Sequence, residues 1–273
     1  TPLSEVLDAN AGSEFRPTTT PESQKNPLRK EITHNALIRA HGIAAFTMLL
    51  LAVTFGIIAS LQFFLPEATS AIASWGRLRF AHTQGIMLGW LGNAFIAFLY
   101  LAVPILSGRP VTNERIGWFL FGLWNLGVLL PGWFLVLNGY SQPLEWAEFP
   151  LLVDAAMIGG LILAAIQFLP PFFKRGFENL YVSSWYIIGG LVFSLMSFPM
   201  GNIIPEVIPG AAGAAFSGLW IHDAVGLFVT PMALAILYYV IPASTGRPIF
   251  SHFLSMLGSV SYTHLTLPTR RFV

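Results

Sequence analysis

Any metal or proton chemistry in this chain must be done without thiols. It has no Cys, so its 6 histidines are the side chains best suited to hold a metal or pass a proton. His34, His41 and His252 stand at the ends of apolar runs, where a solvated or interfacial role is expected. His264 lies in a polar C-terminal stretch and is expected to carry no function. His82 and His222 remain. Each stands in or against a long run free of charge, where a polar side chain is costly to keep.

His82 ends the segment Gly76-Arg77-Leu78-Arg79-Phe80-Ala81-His82. On a helix, Gly85, Gly89 and Gly92 share its face, at +3, +7 and +10. Bare backbone beside an imidazole leaves a slot for something flat, and a haem with a histidine nitrogen on its iron is flat. Small residues at this spacing also serve tight helix packing, and the spacing leaves both uses open. Arg77 and Arg79 stand just before His82. A guanidinium pairs bidentately with carboxylates, so the two arginines suit haem propionates, although interfacial anchoring is equally open.

His222 lies between Gly218 and Gly226, four residues to either side. Neutral imidazole suits copper, iron or zinc, but one histidine makes no site, and a hydrogen bond to a neighbouring helix would also explain it. Asp223 follows directly and could orient a ligand or face water. Asp154 could belong to a proton or cation path, or reach the interface beside Glu145 and Glu148. No phosphate-binding glycine loop or nucleophile elbow is present.

The elements that must position these residues follow from composition. The 273 residues are 55% hydrophobic and 10% charged. An ordinary soluble domain carries about 25% charged residues. The mean hydropathy is +0.67. A net charge of +1 offers no footprint for nucleic acid. Runs of the roughly 20 apolar residues that a bilayer-crossing helix needs recur along the chain. Six spans are predicted, centred on 42–65, 82–106, 116–138, 148–169, 181–204 and 213–242. The fold class is thus an all-α polytopic transmembrane helix bundle. Continuous apolar runs argue against a barrel.

Arg39, Arg109, Arg115, Lys174, Arg175, Arg247 and the cations of the N-terminal arm fall on one side of these spans; only Arg77 and Arg79 fall on the other. The first side is therefore cytoplasmic, and the N-terminus with it. Residues 1–35 read as a polar cytoplasmic arm and 36–258 as the membrane domain, with six complete spans and the start of a seventh. Residues 259–273 are too polar to complete that seventh span and resemble translated adapter sequence, so a non-native tail is expected there.

Several separated segments resemble subunit I of the haem–copper oxidases, most closely its C-family (cbb-type) cytochrome c oxidases. They are Gly76-Arg77-Leu78-Arg79 with His82-Thr83, Leu144-Glu145-Trp146, Leu180 to Trp185, His222-Asp223-Ala224-Val225-Gly226, Tyr238 to Pro242, and Gly246-Arg247-Pro248. Ile221 and Asp223 depart from the Gly and Asn that usually flank the copper-ligand histidine, which marks a divergent branch.

The resemblance implies a fragment of a twelve-helix fold. It makes His82 a ligand of the low-spin haem b iron, with Arg77 and Arg79 beside that haem, and His222 a copper ligand at the catalytic centre. The remaining copper ligands and the high-spin haem's ligand would come from later helices, so the chain alone is expected to be inactive. The implied reaction is reduction of O2 to water with electrons from cytochrome c, coupled to proton translocation. Its partners would be cytochrome c-type donor subunits and other oxidase subunits in a bacterial inner membrane. Thr230, Tyr238 and Tyr239 are candidates for polar lining of a proton route. The alternatives are the large subunit of a nitric oxide reductase, which uses iron in place of copper, and a cofactor-free proton-coupled transporter.

Overall fold

A computed structural model describes residues 32–176 and 180–266. Most of the predicted N-terminal arm and the last seven residues of the predicted tail lie outside the described residues. Among the described residues six helices are long and apolar enough to cross a membrane: α1 (Asn35–Leu61), α2 (Trp75–Ser107), α3 (Glu114–Leu137), α4 (Leu151–Arg175), α5 (Val182–Val207) and α6 (Gly210–Thr245). A shorter helix, α7 (His252–Thr266), follows and runs across the boundary predicted at residue 258. No strand occurs among the described residues. The chain is a multi-pass membrane protein.

Local chemistry accounts for the helix ends. Asn113 caps α3, its side chain accepting from the Arg115 N–H at 2.8 Å. Gly108 (φ 67°) and Gly246 (φ 65°) close α2 and α6 in the left-handed conformation that glycine adopts at little cost. The second span begins earlier than predicted. Trp75 already opens α2, so Arg77 sits on its first turn, Arg79 at the start of its second, and His82 two turns in.

Three spans contain wide π-helical turns: Gly85–Gly92 in α2, Leu123–Leu129 in α3 and Ala224–Val229 in α6. The last two end just before Leu130-Pro131 and Thr230-Pro231. A proline ring clashes with the carbonyl four residues back and offers no N–H to it; a widened turn relieves both problems.

Lipid gives apolar side chains no reason to prefer a neighbouring helix, so close approach through small residues and directed hydrogen bonds must hold the bundle. Added Cβ atoms show where approach is closest. At Gly117 one would lie 2.5 Å from Leu37, at Gly132 2.6 Å from the Phe149 ring, and at Gly201 2.0 Å from the Trp220 Cβ. Trp124, Tyr100, Phe149, Phe168 and Phe172 fill the interior. Ile43, Phe46, Phe134 and Leu152 point outward, as lipid-facing residues should.

Candidate functional site

His82 is held from behind. Its Nδ1 lies 2.8 Å from the Ala52 carbonyl of α1. A carbonyl only accepts, so Nδ1 carries a proton, and in the neutral ring Nε2 is then the nitrogen with the lone pair that a metal would take. Gly56 makes this approach possible, because a Cβ there would stand 2.7 Å from Nδ1. His82 lines a cavity of about 550 Å³ between α1 and the outer part of α2. Val53, Ile57, Phe63, Phe64 and Trp75 supply apolar walls, and Arg79 adds the one cation among the lining residues. A cavity of this kind suits a largely apolar group.

The glycine stripe does not form the predicted slot. A Cβ at Gly85 would meet the Trp133 ring at 2.5 Å, one at Gly89 the Met48 Cβ at 3.1 Å, and one at Gly92 the Trp124 ring at 2.7 Å. The indoles are anchored as well: Trp133 Nε1 donates to the Ala81 carbonyl and Trp124 Nε1 to the Leu88 carbonyl, each at 2.9 Å. The stripe serves helix packing, and the bare backbone beside His82 belongs to Gly56 of the neighbouring helix.

Both arginines are engaged. Arg79 makes a bidentate pair with Glu145, at 2.7 and 3.2 Å, and its guanidinium lies over the Phe80 ring at 4.7 Å. Arg77 donates to the Ala71 carbonyl and, at 2.9 Å, to the Leu137 carbonyl. It therefore ties the outer end of α3 to the start of α2, and it does not line the cavity.

His222 lies elsewhere, on the open face of α6. Its side chain is 61% exposed, and Nδ1 stands 3.3 Å from Oδ1 of the buried Asp223. Asp223 therefore does not face water, and of its two predicted roles the structure supports orientation of the ring. His82 and His222 are not brought into one cluster, and no three His, Cys, Asp or Glu side chains gather as a metal set among the described residues.

Several predicted placements change. His41 is fully buried rather than interfacial. Its Nδ1 bonds Asn93 Oδ1 at 2.8 Å, Asn93 Nδ2 donates to Asn125 Oδ1 at 2.9 Å, and the imidazole stacks on Tyr100 at 5.9 Å. Asp154 is also buried and accepts from Gln142, so it does not reach the interface. Tyr239 packs edge-on against Phe98, and Tyr238 stacks on Tyr186 while its carbonyl accepts from the Tyr181 hydroxyl at 2.7 Å.

Sequence inspection passed over Glu148 as a binding partner. This loop carboxylate has no exposed surface and accepts from Gln84 and, at 3.1 Å, from the Trp146 N–H. Burial pushes its carboxyl above the usual range, and the two donors pull it back part of the way. The usable signal was amides within charge-free runs, Gln84, Asn93 and Asn125, each of which needs a buried partner.

The structure is thus a membrane helix bundle in which a hydrogen-bonded histidine lines an apolar cavity. Comparison with known proteins gives the family. The family described as "Cytochrome C and Quinol oxidase polypeptide I" matches residues 36–269, and the chain belongs to it. It is 28% identical to a protein named cytochrome c oxidase subunit 1 from Rhodobacter capsulatus, over 84% of this chain and 46% of that protein. It is 29% identical to a cytochrome c oxidase subunit 1 homolog from Agrobacterium tumefaciens, over 74% of this chain and 39% of the relative. It is 28% identical to the Cbb3-type cytochrome c oxidase subunit CcoN1 of Stutzerimonas stutzeri, over 67% of this chain and 40% of the relative. The chain thus spans less than half the length of these curated relatives.

Proposed function

We propose that this chain forms part of the catalytic subunit of a terminal respiratory oxidase. That enzyme would reduce O2 to water with electrons from cytochrome c and couple the reaction to proton translocation. The observation that carries the proposal is His82, with Nδ1 bound to the Ala52 carbonyl and the ring lining an apolar cavity that also holds Arg79. His82 would hold the iron of a low-spin haem b, and His222 would be one copper ligand beside a high-spin haem. Haem and copper supply the one-electron steps that reduction of O2 requires.

The chain's own residues then act by placement. The Ala52 carbonyl fixes the His82 tautomer and ring angle. The apolar walls limit water, and Arg79 stands at the cavity already paired with Glu145, so it would hold a propionate only by exchanging that partner. Arg77 would stand near the propionate as a helper that holds the outer loops. Asp223 would orient the His222 ring through Nδ1.

Oxidase names among the relatives favour this proposal over a nitric oxide reductase or a cofactor-free transporter. The whole enzyme would sit in a bacterial inner membrane, with the N-terminus of this chain cytoplasmic, beside cytochrome c-type donor subunits and other oxidase subunits.

The test is redox-difference spectroscopy and metal analysis of the assembled oxidase carrying His82→Ala or His222→Ala. The first should lose the low-spin haem band; the second should keep that band and lose copper and O2 reduction. A full low-spin haem band in the first variant would refute the assignment of His82, and full copper in the second that of His222.

A further inference from the structure

We propose that Glu148 and Trp146 form a positioning link that holds the outer ends of α2 and α6, the two histidine-bearing helices, in one register. As a statement about metal ligands this rests on the proposed roles of His82 and His222; as a statement about helix register it stands alone. Glu148 accepts from Gln84, two residues beyond His82, through Oε2. Through Oε1 it accepts from the Trp146 N–H at 3.1 Å. The Trp146 carbonyl in turn accepts from Trp220 Nε1 at 3.0 Å, and Trp220 stands two residues before His222. One short chain of contacts therefore joins the neighbourhoods of both histidines.

Trp146 pays a conformational cost for this. Its φ is 61°, and it is the one non-glycine with positive φ among the described residues. A bulky side chain persists there only when its surroundings over-determine it. Here those surroundings are the carboxylate on its N–H and the indole on its carbonyl.

Members of the link are buried and held by further contacts. Glu148 has no exposed surface, and its own carbonyl accepts from the Gln142 N–H at 3.0 Å. Trp220 is buried against Phe198, with ring centres 5.2 Å apart, and its Cβ lies 2.0 Å from where a Gly201 Cβ would stand. In lipid, helices are held by close packing and interhelical hydrogen bonds, and a metal site tolerates only about 0.5 Å of misplacement. A link of this kind supplies such bonds.

The test uses the assembled oxidase with Gln84→Leu, Trp220→Phe and the double substitution. Each removes one donor and keeps most of the bulk. The two side chains share no hydrogen bond in the structure, and independent sites add. The link predicts the opposite: once one end is cut, cutting the other should lower the unfolding temperature by less than half of its separate effect. Trp220→Phe should also shift the low-spin haem band, although residue 220 lies on the other helix.

Additive losses in unfolding temperature, or an unmoved band in Trp220→Phe, would overturn the link. If the double variant does not assemble, the band in Trp220→Phe decides alone. Failure of the ligand assignment is read separately from His82→Ala, and the unfolding cycle still decides whether the link exists.

Discussion

Gly56→Ala places a methyl group where the structure has no room for one. The new Cβ would lie 2.7 Å from His82 Nδ1 and 2.8 Å from Cε1, and ordinary contact begins near 3.4 Å. The ring must therefore retreat by about 0.7 Å or the helices must part. Nδ1 now stands 2.8 Å from the Ala52 carbonyl, and a retreat of that size takes the bond to its limit. A lost hydrogen bond costs roughly 1 kcal/mol, and overpacking adds about 1–3 kcal/mol.

The larger effect is on the proposed ligand. Loss of the partner that orients a ligating histidine lowers metal affinity or activity by roughly 10–100-fold. The assay is haem content and the low-spin band of the assembled oxidase, read with its unfolding temperature. Gly42→Ala is the control, on the same helix with nothing within 4 Å of the added methyl. It should be neutral or stabilising by up to about 1 kcal/mol, since alanine suits a helix better than glycine. If Gly56→Ala keeps a full and unshifted haem band, Gly56 is not what lets His82 reach its partner.

Three further substitutions probe the packing, each followed by thermal unfolding in detergent. Asn93→Leu removes the acceptor of His41 Nδ1 and the donor to Asn125 together, and should destabilise by roughly 2 kcal/mol or more through buried groups left unpaired. Trp133→Phe deletes the bond to the Ala81 carbonyl while keeping most of the ring, for a loss of about 1 kcal/mol. Gly201→Ala forces α5 away from Trp220, and should cost at least the roughly 1–3 kcal/mol of an overpacked core and disturb α6 near His222.

The spans, their order and the two isolated histidines were legible because they depend on local composition alone. Twenty apolar residues without charge must become a helix wherever they stand in a bilayer. The partners of the polar side chains were not legible in this way. His41 meets Asn93 across 52 positions, and Gln84 meets Glu148 across 64. The run around residues 36–45 gives no sign that one turn of it faces a buried amide. It was the isolated Asn93 and Asn125 in apolar sequence that called for such a partner, and that signal does not say which residue answers. Arg79 likewise read as free for an anion, because Glu145 is brought to it only by the fold of the outer loop.

Of the two uses left open for the glycine stripe, slot or tight packing, the structure supports packing, which bears on how the site is built. Placing Gly85, Gly89 and Gly92 beneath His82 assumes 3.6 residues per turn along α2. The helix takes π geometry over Gly85–Gly92, beginning three residues after His82. Gly85 nevertheless still faces Ala52 and Gly89 faces Met48, four and eight residues before Gly56 on α1, so the stripe keeps to the α1 seam below His82 and is filled there by packed side chains; Gly92 faces Trp124 of α3. The same widening follows His222 within two residues, at Ala224–Val229. Both histidines thus stand at the outer edge of a widened segment, where packing deeper in the bundle can hold its own phase. At that level the loop at Trp146 and Glu148 contacts both helices, Gln84 donating to Glu148 and Trp220 to the Trp146 carbonyl.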